Sequence, residues 1–330
     1  MFMGVDIGGA NTKIATSEGF TKSVYLPIWE GCDLAGHLKH FLDELAPDGV
    51  GITLTCELAD SFPTRKKGVR YIANIVSELT EDAVFFGVDG KFHDQTCVKI
   101  DPENFFASNW VASSSFIGKE LGDVIFIDMG STTTDIIPIV SGVPVAGKTD
   151  FERLKRGELI YTGILRTNLA TIIDRVDVDG VSCRVASELF AITADLYLLL
   201  GKINDRDYTC DTPNAYAVCG GKQKEDAARR IARLVCSDPD ELGWANIQNI
   251  AEQIAISQKN EIQSVISMIS ERYGLSTVVC GGIGEFVIKE ASEELGLECI
   301  LLSRRYGMKI SSVFPAYALA RLLRDRSGGD

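Results

Sequence analysis

Segments with the alternating apolar pattern of β-strands occur in groups of three at two places in the chain. The first group is FMGVDI, TKIAT and SVYLPI, at residues 2–7, 12–16 and 23–28. The second group is DVIFIDM, TTDIIPIV and VPVAGK, at residues 123–129, 133–140 and 143–148. Because the same order of segments returns later in the chain, the pattern predicts an internal repeat of one structural unit.

Helical periodicity follows each strand group and dominates the second half. We predict helices at residues 34–45, 66–79, 108–118, 186–200, 224–236 and 246–272, from 284 onward and at 311–323. Further strands are predicted at GVGITL (49–54), AVFFGV (83–88) and STVVCG (276–281). Strands that alternate with helices predict an α/β protein with a largely parallel sheet in each half.

The repeat also predicts two domains. We expect residues 1–118 and 313–330 to form the first domain, with the last helix crossing back to it. Residues 119–312 would form the second domain, which carries a helical insertion. Within that insertion, the polar segment 202–222 is expected to be a mobile loop.

The composition and net charge indicate which kinds of binding partner are not expected. The chain has 330 residues, 45% of them hydrophobic and 24% charged, with a net charge of −13. An acidic protein is not expected to present a broad surface to nucleic acid or to an anionic membrane. No apolar run is long enough to span a bilayer, and the N-terminus lacks the pattern of a signal peptide, so a cytoplasmic location is expected.

Two stretches, MGVDIGGANTKIA (3–15) and FIDMGSTTTDI (126–136), place an Asp before a turn of small residues. Small side chains let backbone N–H groups approach an anion, and the neighbouring hydroxyl, amide and ammonium groups can donate to phosphate. Alone, either stretch could be an ordinary glycine hairpin; as a facing pair they would form a phosphate site. The expected phosphate-binding residues are Gly8, Gly9, Asn11, Thr12, Lys13, Gly130, Ser131, Thr132 and Thr133.

The carboxylates beside these turns call for a cation, since Asp6 and Asp128 would otherwise repel phosphate. Mg²⁺ held through water is the simplest solution, because Mg²⁺ favours one or two carboxylates together with substrate phosphates. Asp135, after the second turn, could hold the same ion or act as a base. We therefore expect Asp6 and Asp128 to be the metal-binding residues.

A third glycine cluster, VVCGGIGEF (278–286), ends one strand and begins a helix. Gly281, Gly282 and Gly284 could pack against a nucleotide base or sugar, with the helix N-terminus adding positive potential. By itself this cluster is weak evidence, because glycine is common where helices begin.

These three motifs, in this order, resemble those of the sugar kinase, Hsp70 and actin superfamily. The resemblance implies a duplicated ribonuclease-H-like fold with a central cleft, phosphate at the first two motifs and adenosine at the third. ELADSFPTRKKGV (57–69), SNWVA (108–112) and GELIYTGILRT (157–167) are similar to the hydantoinase/oxoprolinase-A-like branch. Within that branch, a chain of this length resembles the archaeal members that act in methanofuran biosynthesis.

That resemblance implies a transferase that joins an aminomethylfuran-methyl diphosphate to γ-glutamyltyramine, forming an ether and releasing diphosphate. Mg²⁺ and Asp128 would stabilise the departing diphosphate. A base must take the proton of the phenol, and Asp135, Glu158 and Asp60 are candidates that the sequence does not rank. The expected substrate-binding residues are Arg65, Trp110, Tyr161 and Arg166.

Two alternatives stay open at this point. One is an enzyme of the same fold that uses ATP, either a small-molecule kinase or a hydantoinase/oxoprolinase-type hydrolase. The other is a nucleotide-binding regulator that closes its cleft without turnover. Whether ATP binds, and whether the chain forms a homodimer, is not decided by the sequence.

Overall fold

The first half of the chain builds a six-stranded sheet. The computed structural model describes residues 1–57, 61–213 and 220–328. The strands are β1 (Phe2–Gly8), β2 (Asn11–Thr16), β3 (Thr21–Tyr25), β4 (Gly49–Thr55), β5 (Val84–Phe86) and β6 (Phe92–His93). Their order in the sheet is β3-β2-β1-β4-β5-β6, in which β1, β2 and β3 are antiparallel and β4 and β5 run parallel to β1.

A second sheet repeats this arrangement. It contains β7 (Val124–Met129), β8 (Thr134–Val140), β9 (Val143–Pro144), β10 (Leu159–Ile160), β13 (Thr277–Gly281) and β14 (Glu298–Leu301), while β11 (Arg175–Val178) and β12 (Val181–Arg184) form a separate hairpin. The order is β10-β8-β7-β13-β14, with β9 also paired to β8. Again an antiparallel hairpin is followed by two parallel strands.

Helices cover both sheets. They are α1 (Leu34–Leu45), α2 (Arg65–Leu79), α3 (Gln95–Ile100), α4 (Asn109–Leu121), α5 (Asp150–Arg156), α6 (Thr193–Leu199), α7 (Lys224–Ala232), α8 (Pro239–Leu242), α9 (Trp244–Tyr273), α10 (Glu285–Glu294), α11 (Leu302–Tyr306), α12 (Met308–Ser311) and α13 (Phe314–Ser327). None of the helices in the described ranges combines the length and apolarity needed to cross a membrane.

The duplicated topology confirms the predicted fold class. Each sheet has the same strand order around an antiparallel hairpin, and crossover helices connect its parallel strands. The protein therefore has the two-part, ribonuclease-H-like α/β fold of the actin, Hsp70 and sugar kinase type.

Helices α4 and α13 lie between the two sheets. α13 packs on β1, β2 and β4, whereas α4 packs on β7, β8 and β9 and contacts α13. Phe116 of α4 forms ring contacts with Phe314 and Tyr317 of α13, at centroid distances of 6.0 Å. The proposed domains, 1–118 with 313–330 and 119–312, stay a prediction, in which these helices form the interface.

The helix predicted at 186–200 is shorter than expected. α6 begins only at Thr193, where Asp195 Oδ2 accepts a hydrogen bond from Ile192 N at 3.0 Å. The preceding backbone bonds elsewhere: Val185 N donates to Asp174 O and Ala186 N donates to Leu234 O. Apolar spacing predicted a helix there, but hydrogen bonds to distant segments hold this part in a non-helical conformation.

Part of the segment 202–222 is ordered by buried side chains. Tyr208 is 1% exposed and donates to Asp195 Oδ1 at 2.8 Å, and Arg230 donates to the same carboxylate at 2.5 Å. The predicted mobile loop also includes residues 214–219, which lie outside the described residues.

Candidate functional site

The first candidate carboxylate lies at the centre of the first sheet. Asp6 of β1 stands opposite Lys13 of β2 on one side and Thr53 of β4 on the other. It is 3% exposed, and Thr53 Oγ1 donates to its Oδ1 at 3.3 Å. Burial raises the pKa of Asp6, while Lys13, Thr53 and Asn109 of α4 oppose that rise.

The second candidate carboxylate occupies the equivalent place in the second sheet. Asp128 of β7 stands opposite Asp135 of β8. Burial raises the pKa of Asp128 to about 6, with Asp135 and Asp6 adding to the rise and Lys13 opposing it. Since Asp6 and Lys13 belong to the first hairpin, the two hairpins face one another across a shared site.

Two contacts fix the turns beside these carboxylates. Ile28 N donates to Gly9 O in the first turn at 2.9 Å, and Arg166 N donates to Ser131 O in the second at 3.0 Å. The Arg166 guanidinium lies 5.3 Å from the ring centroid of Trp29, the residue after Ile28. Trp29, next to the residue that bonds to the first turn, therefore contacts Arg166, which bonds to the second turn.

Most of the predicted phosphate-binding residues are accessible from this site. Gly8, Gly9, Asn11 and Lys13 of the first turn are partly exposed, as are Gly130, Ser131, Thr132 and Thr133 of the second. Thr12 differs: it is 1% exposed and pairs with Ile7 on the face that packs into the core. Its geometry does not favour the predicted contact with phosphate.

The third glycine cluster packs directly against β7. Gly281 pairs with Asp128, and a Cβ on Gly282, whose φ is +82°, would overlap the Asp128 carboxylate. A Cβ on Gly284 would overlap the Met129 side chain. Close packing is thus a sufficient reason for glycine at these positions, and their role in nucleotide binding stays a prediction.

An alternating set of charges, here named the ionic chain, leads away from Asp135. Arg153 donates through Nη1 to Asp135 and through Nη2 to Asp150 Oδ1, the latter at 2.7 Å. Asp150 Oδ2 is 3.6 Å from Arg65 Nη2, which donates to Glu57 Oε1 at 2.6 Å. The ionic chain therefore joins Glu57 and Arg65, in the first half of the protein, to Asp135, Asp150 and Arg153 in its second half.

The ionic chain changes the expectation for Arg65. Its guanidinium is engaged by two carboxylates and lies 4.2 Å from the Phe106 ring centroid, so its placement does not favour the predicted binding of substrate. Sequence reasoning missed Arg153, which is 2% exposed, and its partner Asp150. Their spacing of three residues at the start of a charged helix was the available signal.

The remaining predicted residues are spread more widely. Trp110 is 5% exposed and stacks under the Arg153 guanidinium at 4.7 Å, whereas Tyr161 is 62% exposed. Glu158 is fully buried and its Oε2 accepts from Gly147 N at 2.7 Å, which does not favour the predicted role of a base. Asp60 lies outside the described residues.

The fit of Mg²⁺ depends on ligands that the protein itself does not supply. Over the described ranges, no three His, Cys, Asp or Glu side chains are grouped so that they could hold a metal ion. Asp128 nevertheless accepts no hydrogen bond from any described residue, and burial raises its pKa, so a cation would stabilise it. Water and phosphate oxygens would complete the shell, as Mg²⁺ prefers.

Comparison with known proteins adds to this geometry. The chain is 37% identical to the (4-{4-[2-(gamma-L-glutamylamino)ethyl]phenoxymethyl}furan-2-yl)methanamine synthase of Methanocaldococcus jannaschii, over 98% of both chains. It is 38% identical to the synthase of the same name from Methanococcus vannielii, over 64% of this chain and 96% of that one.

Among solved structures, a ROK family glucokinase from Streptomyces griseus is similar over 98% of this chain and 99% of its own, with 14% identity and a TM-score of 0.46. The strand order of the two sheets, independently of this likeness, shows the fold. The hydantoinase/oxoprolinase family matches residues 48–326, and the chain belongs to this family.

Proposed function

We propose that the chain is a Mg²⁺-dependent transferase that joins an aminomethylfuran-methyl diphosphate to γ-glutamyltyramine in methanofuran biosynthesis. The observation that carries this proposal is the 37% identity to the M. jannaschii synthase over 98% of both chains. The name of that relative describes a phenoxymethylfuran, which is an ether between a phenol oxygen and a furan-bound methylene carbon. Making this ether requires a phenol and a furan-methyl group with a leaving group.

The proposed reaction exchanges one carbon–oxygen bond for another. The bond between the methylene carbon and the diphosphate breaks, and its electron pair leaves on the diphosphate oxygen. The phenol oxygen forms the new bond to the same carbon, and its proton passes to a base. Negative charge therefore grows on the diphosphate, and a site that stabilises this charge lowers the barrier.

The facing hairpins supply groups suited to the leaving diphosphate. Gly9 and Ser131 lie in partly exposed turns, where small residues leave backbone N–H groups accessible. The N–H of Gly130 is already donated to Thr133 O, at 2.9 Å. Lys13 adds positive charge between Asp6 and Asp128. Mg²⁺ held by these two carboxylates through water would neutralise further charge on the departing group.

Asp135 is the base that we favour among the candidates. It stands opposite Asp128 at the site, whereas Glu158 is fully buried. Burial raises the pKa of Asp135, which makes its carboxylate a better proton acceptor, and Arg153 limits that rise. Arg153 also fixes the orientation of the carboxylate through its Nη1.

The test is to combine the purified chain with both substrates and Mg²⁺ and to follow the ether by mass spectrometry and diphosphate by a coupled assay. We expect the two products in equal amounts. Asp128→Asn should lower kcat by about 10²- to 10³-fold, because it removes charge at the proposed metal. Near wild-type activity of this variant would show that Asp128 is not a metal-binding residue.

A second candidate is an ATP-dependent kinase or hydrolase, favoured by membership of a family named for hydantoinases and oxoprolinases. The same reaction mixtures separate it from the transferase. ADP formed from ATP, without any ether from the diphosphate ester, would contradict the transferase proposal.

A further inference from the structure

Trp29 and Arg166 are each fixed to one of the two turns. Trp29 follows Ile28, whose N–H donates to Gly9 O, and its Cζ3 lies 3.8 Å from the position that a Cβ on Gly9 would take. Arg166 donates its own backbone N–H to Ser131 O at 3.0 Å. Both side chains therefore stand at the edge of the proposed phosphate site.

The guanidinium of Arg166 keeps its donors available. It lies 5.3 Å from the centroid of the Trp29 ring, within the range of a cation–π contact. In the part of the chain that the structure describes, it has neither a hydrogen bond nor an ion pair, unlike Arg65 and Arg153, which are held by carboxylates. Stacking on Trp29 uses none of the N–H groups of Arg166, and the backbone bond to Ser131 places the residue independently of Trp29, which suits an anion bound between the turns.

Aromatic surface is exposed at the same place. Trp29 is 41% exposed, and so is Tyr25, which pairs with Asn11 of the first turn. Exposed aromatic rings beside convergent polar groups are typical of sites for small planar ligands. The first turn thus carries donors for an anion and an apolar surface for a ring.

We propose that Trp29 and Arg166 form a subsite for the planar ring and the diphosphate of the donor, which makes Trp29 a specificity-determining residue. This inference rests on the proposed function. In a heteroaryl-methyl diphosphate, one methylene and one oxygen separate the ring from the first phosphorus. A diphosphate bound at the turns would therefore place its ring beside Trp29, whereas the ribose of a nucleotide holds the base farther away.

The experiment compares three probes in the presence of Mg²⁺ by calorimetry: inorganic diphosphate, methyl diphosphate and benzyl diphosphate. We expect the wild-type protein to bind benzyl diphosphate about 5- to 10-fold more tightly than methyl diphosphate, which is the usual size of an aromatic contact. Trp29→Leu should lose this preference and keep its affinity for methyl diphosphate within about twofold. Arg166→Gln should weaken all three probes by about 10-fold or more.

Two further variants make the test decisive. Trp244→Leu removes a Trp that is 48% exposed at the start of α9, and it should keep the full preference. Trp29→Phe retains a ring and should keep most of the preference, which provides a result even where Trp29→Leu fails to fold. An unchanged preference in folded Trp29→Leu, or its loss in Trp29→Phe and Trp244→Leu alike, would overturn the inference.

The failure of this inference can be told apart from that of the proposed function. A protein that binds all three probes equally, yet forms the ether, contradicts the role of Trp29 alone. A protein that binds none of them contradicts the phosphate site, and with it both proposals.

Discussion

Arg153 is a buried cation that holds two carboxylates at once. A lysine at this position would keep the charge, but it could not donate to Asp135 and Asp150 in the same fork geometry. We expect Arg153→Lys to lower kcat by about 10-fold or more with little change in KM, because the proposed base loses its orientation. Steady-state kinetics with both substrates measure this split.

A matched control exists in the helical part of the chain. Arg230 is also fully buried and donates to a buried carboxylate, that of Asp195. Arg230→Lys should destabilise the protein by about 1–3 kcal/mol, while kcat in the folded variant stays near the wild-type value. Equal losses of kcat in Arg153→Lys and Arg230→Lys would show that Arg153 has only a structural role.

Individual side chains are also where the sequence was least informative. Arg65 and Arg166 were expected to bind substrate on similar grounds, yet Arg65 is held by Glu57 and Asp150 while Arg166 stacks on Trp29. Asp150 is 85 residues from Arg65, and Trp29 is 137 residues from Arg166 along the chain. Only tertiary packing decides which cation is neutralised, so a local pattern could not separate them.

The β7–β8 hairpin places two carboxylates opposite each other, and this has a consequence for stability. The folded pKa of Asp128 is about 6, above its usual value of 3.8. Native protein therefore binds more protons than unfolded chain between these values, and the free energy of unfolding falls as pH rises through this window. Asn cannot titrate, so Asp128→Asn escapes this loss.

We expect the stability advantage of Asp128→Asn over wild type to grow from about pH 4 to pH 6, to at most about 3 kcal/mol in metal-free buffer. Denaturant unfolding at several pH values measures it, and added Mg²⁺ should reduce the advantage by stabilising the wild type. A difference that stays constant across this pH range would show that Asp128 does not titrate as described.

Elements with a strong pattern were predictable, and those defined by tertiary contacts were not. The strands of both hairpins and the long helix α9 follow directly from apolar periodicity. β10 and β14 have two and four residues, and the residues just before α6 bond to distant segments instead of extending the helix. Short pairings of this kind carry too few residues to produce a periodic signal.

For the whole molecule, the leaving group decides between the two candidate functions. A ligand that binds only the native state stabilises it by RT ln(1 + [L]/Kd). Diphosphate with Mg²⁺ should therefore raise Tm at least as much as ATP with Mg²⁺ at equal concentrations, since the transferase site needs no adenosine contacts. A large shift with ATP and none with diphosphate would instead favour the ATP-dependent enzyme.

The position of α13 has a consequence for how the protein is made. Its residues, Phe314–Ser327, cover a face of the sheet that begins with Phe2–Gly8, so the last helix packs directly on the first strand. During synthesis, the face of β1 that α13 covers stays exposed until α13 has been made. Contacts so distant in sequence slow folding, and the exposed face meanwhile favours aggregation. Because α13 also packs on Phe116 of α4 and Phe126 of β7, neither sheet completes its face toward the other before α13 has been made, and both are expected to need protection from aggregation until then.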